Sequence, residues 1–290
     1  TVQIAGEYNN VINFQVTGNP EPAKDISNAT YLQEVGTCPS TLTTGQVYTL
    51  KDNRDEQEYK VAKLADNKCW MLDNLRLDPS DSTTLNNITA LNTNADATSI
   101  DKFKNGGGTS SDQYPTAKIN NAAWTSSSQN YYSIPMTINT YKNTTTTSYG
   151  AGSGKIGVYY NYCAASAGSY CYGNGTSAGT SSGNATEDLC PAGWRMPTGN
   201  TSGEYQALFA AYNDNQIATD SGSFQYNLSM PLSGYFKDGS RYYQDGLGFW
   251  WTSTQYDYNV MYSLVVDDSH VFPSHYDIRY YGFSLRCIAQ

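Results

Sequence analysis

Five side chains able to move protons crowd the stretch from Asp267 to Asp277: Asp267, Asp268, His270, His275 and Asp277. An imidazole beside a carboxylate is the pairing used for general acid–base work, and hydrolysis is the reaction it would serve. Such work needs a sheltered pocket that moves pKa values toward the working pH. These histidines instead sit among Tyr, Ser, Asp and Asn in a tract that reads as solvent-facing loop. The residues suit contact better than catalysis, and no enzymatic activity is expected.

Six cysteines are present, with no Cys-x-x-Cys spacing and with both histidines far from them in sequence, which argues against a metal centre. Their number is even, and their spacing favours three disulfides. Cys38 and Cys69 flank one hairpin region, Cys163 and Cys171 bracket a short Ala/Ser/Gly loop, and Cys190 and Cys287 begin and end the C-terminal half. Disulfides imply an oxidising, extracellular setting. Gly106–Gly108 lacks the strand-loop-helix context and the lysine of a phosphate cradle, so chain flexibility is its reading. The turn Asp52-Asn53-Arg54-Asp55-Glu56-Gln57 carries the carboxylates of a calcium loop, yet carboxylates at hairpin tips are ordinarily solvated turn formers. No cofactor is expected, with room left for a structural calcium.

Composition narrows the partners. The chain has 290 residues, 15% of them charged, and a formal net charge of -9. It is rich in Ser, Thr, Asn, Gly and Tyr, as secreted, loop-rich β proteins are. With an acidic balance and no Lys/Arg cluster, nucleic-acid binding would lack its main electrostatic contribution. No apolar run is long enough to span a membrane. The start, Thr1-Val2-Gln3-Ile4, lacks a signal-peptide layout, and the chain reads as a soluble, processed piece of a longer protein.

The elements follow from periodicity. Val11–Val16 alternates apolar and polar residues and stops at Gly18-Asn19-Pro20-Glu21-Pro22, so residues 1–27 read as a strand with a Pro-containing linker, either the end of a preceding domain or an assembly strand. Residues 28–290 form the main domain. Val47–Leu50, Tyr59–Leu64 and Cys69–Met71 predict a three-stranded meander. Residues 78–154 read as a Ser/Thr/Asn/Gly-rich insertion, and Gly157–Tyr162 as a further strand. Thr201-Ser202-Gly203-Glu204 predicts a capping box, with Thr201 accepting an amide and Glu204 reaching back, ahead of a helix that packs Tyr205, Leu208, Phe209 and Tyr212. Gly248–Thr254 and Gly282–Ile288 read as core strands.

Between those two strands lies the expected recognition surface. Tyr and Trp offer rigid contact area, and Ser, Asn and Asp offer adaptable hydrogen bonds. Strand alternation places Trp250 inward and Trp251 outward. The expected ligand-binding residues are Trp251, Tyr256, Tyr258, Asn259, His270, His275, Tyr276, Asp277 and Tyr280.

Two segments, Asp52-x-Arg54-Asp55-x-x-x-Tyr59-x-Val61-x-x-Leu64 continuing to Trp70-Met71-x-x-Asn74-Leu75, and Cys190-Pro191-Ala192-Gly193-Trp194-Arg195-Met196-Pro197-Thr198, carry a resemblance. With Phe249–Thr254 and Tyr281–Cys287 added, Tyr31 to Ile288 resembles the Fibrobacter succinogenes major paralogous domain, a bacterial surface module similar to C-type lectin-like folds. The resemblance implies an α+β fold with short antiparallel strands, one or two helices and long loops. It also implies that the first and last cysteines are clasped and that the domain is displayed on the bacterial cell surface. The loop signatures of calcium-dependent sugar recognition are absent, the corresponding strand reading Trp251-Thr252-Ser253. The tract from Tyr256 to Tyr280 resembles the variable region of retroelement-diversified lectin-like proteins.

The expected function is that of an extracellular adhesin or receptor-binding module that contacts a cell-surface glycan or protein, diversified by a retroelement if the second resemblance holds. The alternative is a structural subunit of a surface filament or pilus, self-associating through Val11–Val16.

Overall fold

The computed structural model describes residues 24–36, 38–105, 140–147, 154–169, 183–214, 224, 227–257 and 259–290. The expected strand at Val11–Val16, Gly106–Gly108, Cys171 and Tyr258 lie outside the described residues. After a 3-10 turn at Leu32–Glu34, the elements run β1 (Val47–Lys51), β2 (Glu58–Lys63), β3 (Cys69–Met71), α1 (Ser82–Asn87), α2 (Ala97–Asn105), β4 (Thr140–Thr147), β5 (Gly154–Tyr160) and α3 (Tyr162–Ala165). They continue with β6 (Trp194–Arg195), α4 (Glu204–Asp214), β7 (Tyr235–Lys237), β8 (Ser240–Tyr242), β9 (Gly248–Gln255), β10 (Val260–Val266), β11 (Val271–Ile278) and β12 (Ile288–Ala289). The class is α+β with mostly antiparallel strands.

The meander forms as expected, with Tyr48 opposite Val61 and Ala62 opposite Trp70. It grows into a five-stranded sheet in the order β1-β2-β3-β12-β6. The end of the chain thus inserts between β3 and β6, and Ile288 pairs with both Trp70 and Arg195. Two disulfides reinforce this closure, Cys38–Cys69 and Cys190–Cys287. Cys163 is also disulfide-bonded, and its expected partner Cys171 lies outside the described residues. The first and last cysteines, Cys38 and Cys287, are therefore not joined to each other, contrary to what the resemblance implies: Cys38 is bridged to Cys69 in β3, and Cys287, just before β12, to Cys190 ahead of β6.

Two cores flank the strands, and period-two alternation sorts side chains between them. Cys69 and Met71 of β3, Phe249 and Trp251 of β9, and Met261 and Val265 of β10 join one cluster. Trp70, Trp250, Leu264 and Val266 point the other way, into a cluster completed by Tyr205, Leu208 and Tyr212 of α4. Both faces of β9 are covered, and all eight of its residues are buried. This overturns the outward placement of Trp251, because alternation exposes one face only where that face meets water.

Other expectations change for equally local reasons. Four α-helices occur among the described residues rather than one or two. Two of them, α1 and α2, lie in the stretch read as an insertion. Asp81 accepts the Thr84 amide at 2.7 Å and Asp96 accepts that of Ser99 at 2.7 Å, so each helix start is satisfied by an aspartate. Glu204 is the first residue of α4 rather than its third, and it does not close the predicted capping box. Its amide donates to Thr198 Oγ1, while its carboxylate takes hydrogen bonds from Arg195 and Lys68. The Asp52 turn is solvated only in part: Asn53 and Glu56 are exposed, but Asp52 and Arg54 are both wholly buried and ion-paired at 2.6 Å, with Arg54 also donating to the Leu189 carbonyl. Of Gly282–Ile288, only Ile288 lies in a regular strand; Gly282, Phe283 and Ser284 form single bridges such as Tyr160–Phe283 and Trp250–Ser284, and the Leu285 and Cys287 carbonyls accept from the Leu75 and Met71 amides.

Candidate functional site: the β7–β11 aromatic surface

The tract after β9 is a hairpin rather than a set of loops. β9, β10 and β11 form a three-stranded antiparallel sheet with β11 at its edge. Val266 pairs with Val271, leaving Asp267–His270 as the tip, and Asp267 accepts the Ser269 amide at 2.7 Å in an Asx turn. Pro273 sits within β11 and offers no N–H, which blunts this edge against further strand pairing. The strand is built to display side chains.

A register shift decides which side chains it displays together. Val265 faces Phe272 and Ser263 faces His275, so β11 carries one extra residue between these pairs. The bulge brings Phe272 onto the same face as His275, and their rings lie 6.5 Å apart. Asp277 follows two residues on, and its Oδ2 accepts from Ser263 Oγ at 2.8 Å and contacts His275 Nδ1 at 3.0 Å. The expected cluster of acids and histidines is thus divided. Asp267 and His270 shape the hairpin tip, whereas His275 and Asp277 lie on the strand.

The order of the strand group matters for chemistry. The carboxylate stands between serine and imidazole, so Ser263 donates to Asp277 and not to a histidine base, and Ser263 is itself fully buried. Nucleophile activation needs the serine on the imidazole. Among the described residues, no group of three or more His, Cys, Asp or Glu is arranged to hold a metal ion.

The hairpin of β7 and β8 supplies the opposite wall. Gly234 precedes it at φ +65, where an added Cβ would stand 2.1 Å from the Tyr242 carbonyl oxygen, so the tight entry depends on glycine. Phe236 and Gly282 exchange amide–carbonyl hydrogen bonds, which lays Tyr235 against Tyr281. Those rings stack with centroids 5.1 Å apart, and Tyr242 stacks on Tyr235 at 5.4 Å. Between this aromatic stack and the strands lies a cleft of about 460 Å³, lined by Tyr235, Tyr243, Phe249, Phe272 and Tyr281 and flanked by His275 and Asp277. Burial pushes the Tyr235 phenol up to about 12, so it stays protonated and able to donate near neutrality.

Of the expected ligand-binding residues, the structure pairs His275 with Asp277 on the cleft face of β11 and Tyr256 with Tyr276 on its other face. Tyr256 and Tyr276 stack at 4.4 Å with 9° between their planes, and both are exposed. His270 is exposed at the tip and stacks on Phe272 at 5.7 Å. Asn259 is half-buried in the β9–β10 turn, where its amide donates to Asp257 and its carbonyl accepts from the Arg279 amide. Two expected residues are not on the surface. Trp251 is wholly buried, donates from Nε1 to the Tyr160 carbonyl at 2.8 Å and stacks on Phe283 at 4.1 Å. Tyr280 is 4% exposed, set edge-on to Tyr281.

Sequence reading missed Tyr235, Tyr242, Tyr243 and Phe272. The signal available for the first three was Tyr-Phe-Lys-Asp-Gly-Ser-Arg-Tyr-Tyr, two short aromatic runs around an Asp238-Gly239 turn, which is a hairpin pattern. The residues carrying the family resemblance are mostly internal. Asn74 accepts from Trp250 Nε1 at 2.8 Å and from Arg286 at 3.0 Å, and it donates to Ser284 Oγ at 3.1 Å. Comparison of the chain with protein-family models, with curated proteins and with solved structures finds no significant match.

Proposed function

We propose that this chain is an extracellular recognition module, an adhesin or receptor-binding domain whose β7–β11 aromatic surface contacts a cell-surface glycan or protein. One observation carries the reading. Among the described residues, seven large hydrophobic side chains are exposed, and five of them cluster on this sheet and its neighbouring hairpin: Tyr242, Tyr243 and Phe272 on the cleft side, and the stacked Tyr256 and Tyr276 on the other face of β11. Exposed aromatic area concentrated on one rigid sheet and the hairpin beside it, around an open cleft and along the β11 edge, is the anatomy of a binding site. The two disulfides among described residues fit an oxidising compartment, and no described helix is long and apolar enough to cross a membrane. The resemblance to the Fibrobacter succinogenes paralogous domain supports display on a bacterial surface, and the Tyr256–Tyr280 alphabet supports diversification of the exposed positions. The filament reading depends on Val11–Val16, outside the described residues, and nothing described favours it.

A screen of purified protein against glycan and cell-surface protein arrays tests the proposal, run beside a Tyr256→Ala/Tyr276→Ala variant. Binding by the parent and its loss in the folded variant support it. Absence of binding by the parent to either array, or equal binding by both proteins, removes it.

A further inference from the structure

We infer that the cleft between the β7–β8 hairpin and β11 receives a cationic side chain, the ammonium of a lysine presented by a partner protein; the inference rests on the recognition reading above and names the chemistry of its ligand. Aromatic walls and a carboxylate are the combination that holds an alkylammonium: ring faces attract the charge, and an anion at the end fixes its position. Tyr235, Tyr243, Phe272 and Tyr281 supply the walls. Asp277 supplies the anion, 14% exposed at its side chain. Ser263 and His275 both engage Asp277 Oδ2, and among the described residues Oδ1 takes no hydrogen bond. The free oxygen has the acceptor capacity a lysine ammonium would use.

The protein shows this chemistry once already. Lys237 Nζ lies 5.1 Å from the Tyr281 ring centroid, so one of these rings hosts an ammonium from the chain itself. Asp238 lies 3.9 Å from that ammonium and offsets its repulsion of a second cation. The wider field has the same sign. From Tyr235 to Tyr281 the chain carries six aspartates, at 238, 245, 257, 267, 268 and 277, against Lys237, Arg241 and Arg279, and Arg279 is buried. A basic partner surface would be drawn toward this end of the molecule and an acidic one turned away. An apolar segment would cover Asp277 Oδ1 without offering it a hydrogen bond, which is costly.

The test is a titration of the intact protein, followed by NMR, with Nα-acetyl-lysine N-methylamide, with its norleucine counterpart lacking the ammonium, and with methyl galactoside. Saturable binding of the lysine probe is expected, with upfield shifts of its ε-methylene protons from the surrounding rings. Binding is expected to be about tenfold weaker for norleucine, for Asp277→Asn and for Tyr243→Leu. Tyr243 is 62% exposed, so its replacement leaves the fold intact even if Asp277→Asn does not. Equal binding of lysine and norleucine would make the cleft merely apolar and overturn the inference. Binding of the galactoside in preference to lysine would overturn it while retaining the recognition reading. Lack of binding by all three probes would overturn it as well, and the array screen would then stand or fall by itself.

Discussion

Trp250 and Trp251 are neighbours in β9, both wholly buried, and they point into different cores. Each indole N–H finds a buried acceptor, Asn74 Oδ1 for Trp250 and the Tyr160 carbonyl for Trp251, both at 2.8 Å. The pair fixes β9 between two packed layers and makes it the rigid base on which the β10–β11 hairpin stands.

Replacement of Trp251 by Ala removes a ring stacked on Phe283 and leaves a cavity, with an expected cost of about 3–5 kcal/mol. Replacement of exposed Tyr276 by Ala is expected to change stability by less than about 0.5 kcal/mol. Urea unfolding of the two variants checks the contrast, and similar losses for both would contradict the division into core and display residues.

The buried Asp52–Arg54 pair makes an unusual prediction for a hairpin turn. Arg54→Ala strands a buried carboxylate and is expected to cost about 3–5 kcal/mol, whereas the double change Asp52→Leu/Arg54→Met recovers much of that loss. Chemical denaturation of the three proteins measures it. A solvated turn would give no significant change in any of them.

Two carboxyl groups set opposite pH dependences. Burial pushes Asp188 up to about 6, against hydrogen bonds from the Met196 and Cys190 amides and Asn94. The folded form then binds its proton more tightly than the unfolded chain, so stability falls as pH rises from about 3.8 to about 6. Glu204 behaves in the reverse sense. Burial opposes its ionisation, but Arg195, Lys68 and the Thr198 amide hold it down at about 2, so its contribution is present above about 4.5 and is lost as pH falls toward 2. Unfolding measured across this range is expected to show a shallower slope above pH ~4 in Asp188→Asn and below pH ~4.5 in Glu204→Gln, each effect being on the order of 2 kcal/mol.

The Cys190–Cys287 bond spans 97 residues and holds the segment leading into β12. Its removal in Cys190→Ala/Cys287→Ala is expected to cost about 2–5 kcal/mol. Thermal unfolding under non-reducing conditions reads this directly.

Much of this architecture was legible in the chain. The meander and the β5 and β9 strands follow from apolar and aromatic runs bounded by turn residues, and the α4 contacts from apolar residues at helical spacing. The disulfides joining Cys38 to Cys69 and Cys190 to Cys287 matched their spacing. Trp251 was misplaced because alternation locates two faces without saying whether either meets water, although the unbroken run Phe249-Trp250-Trp251 already suggested a strand covered on both sides. The helices α1 and α2 were hidden by a composition rich in Ser, Thr and Asn, since capping and nearby packing, not intrinsic propensity, hold them. The tract from Val260 to Ile278 looked like loop because polar and aromatic residues dominate it. Its regular pairing became visible only with the bulge that skips one residue between the Ser263 and Val265 pairs. The wall containing Tyr235 lies outside this tract in sequence, and the Gly234–Gly248 and Phe236–Gly282 bridges bring the two together.

The central claim is that exposed aromatics on the β7–β11 surface carry recognition. Its most direct test is the dissociation constant for the strongest array ligand, compared between the parent chain and Tyr256→Ala/Tyr276→Ala at equal unfolding midpoints. The account predicts at least about tenfold weaker binding by the variant. Unchanged affinity in a variant that is equally stable would contradict it.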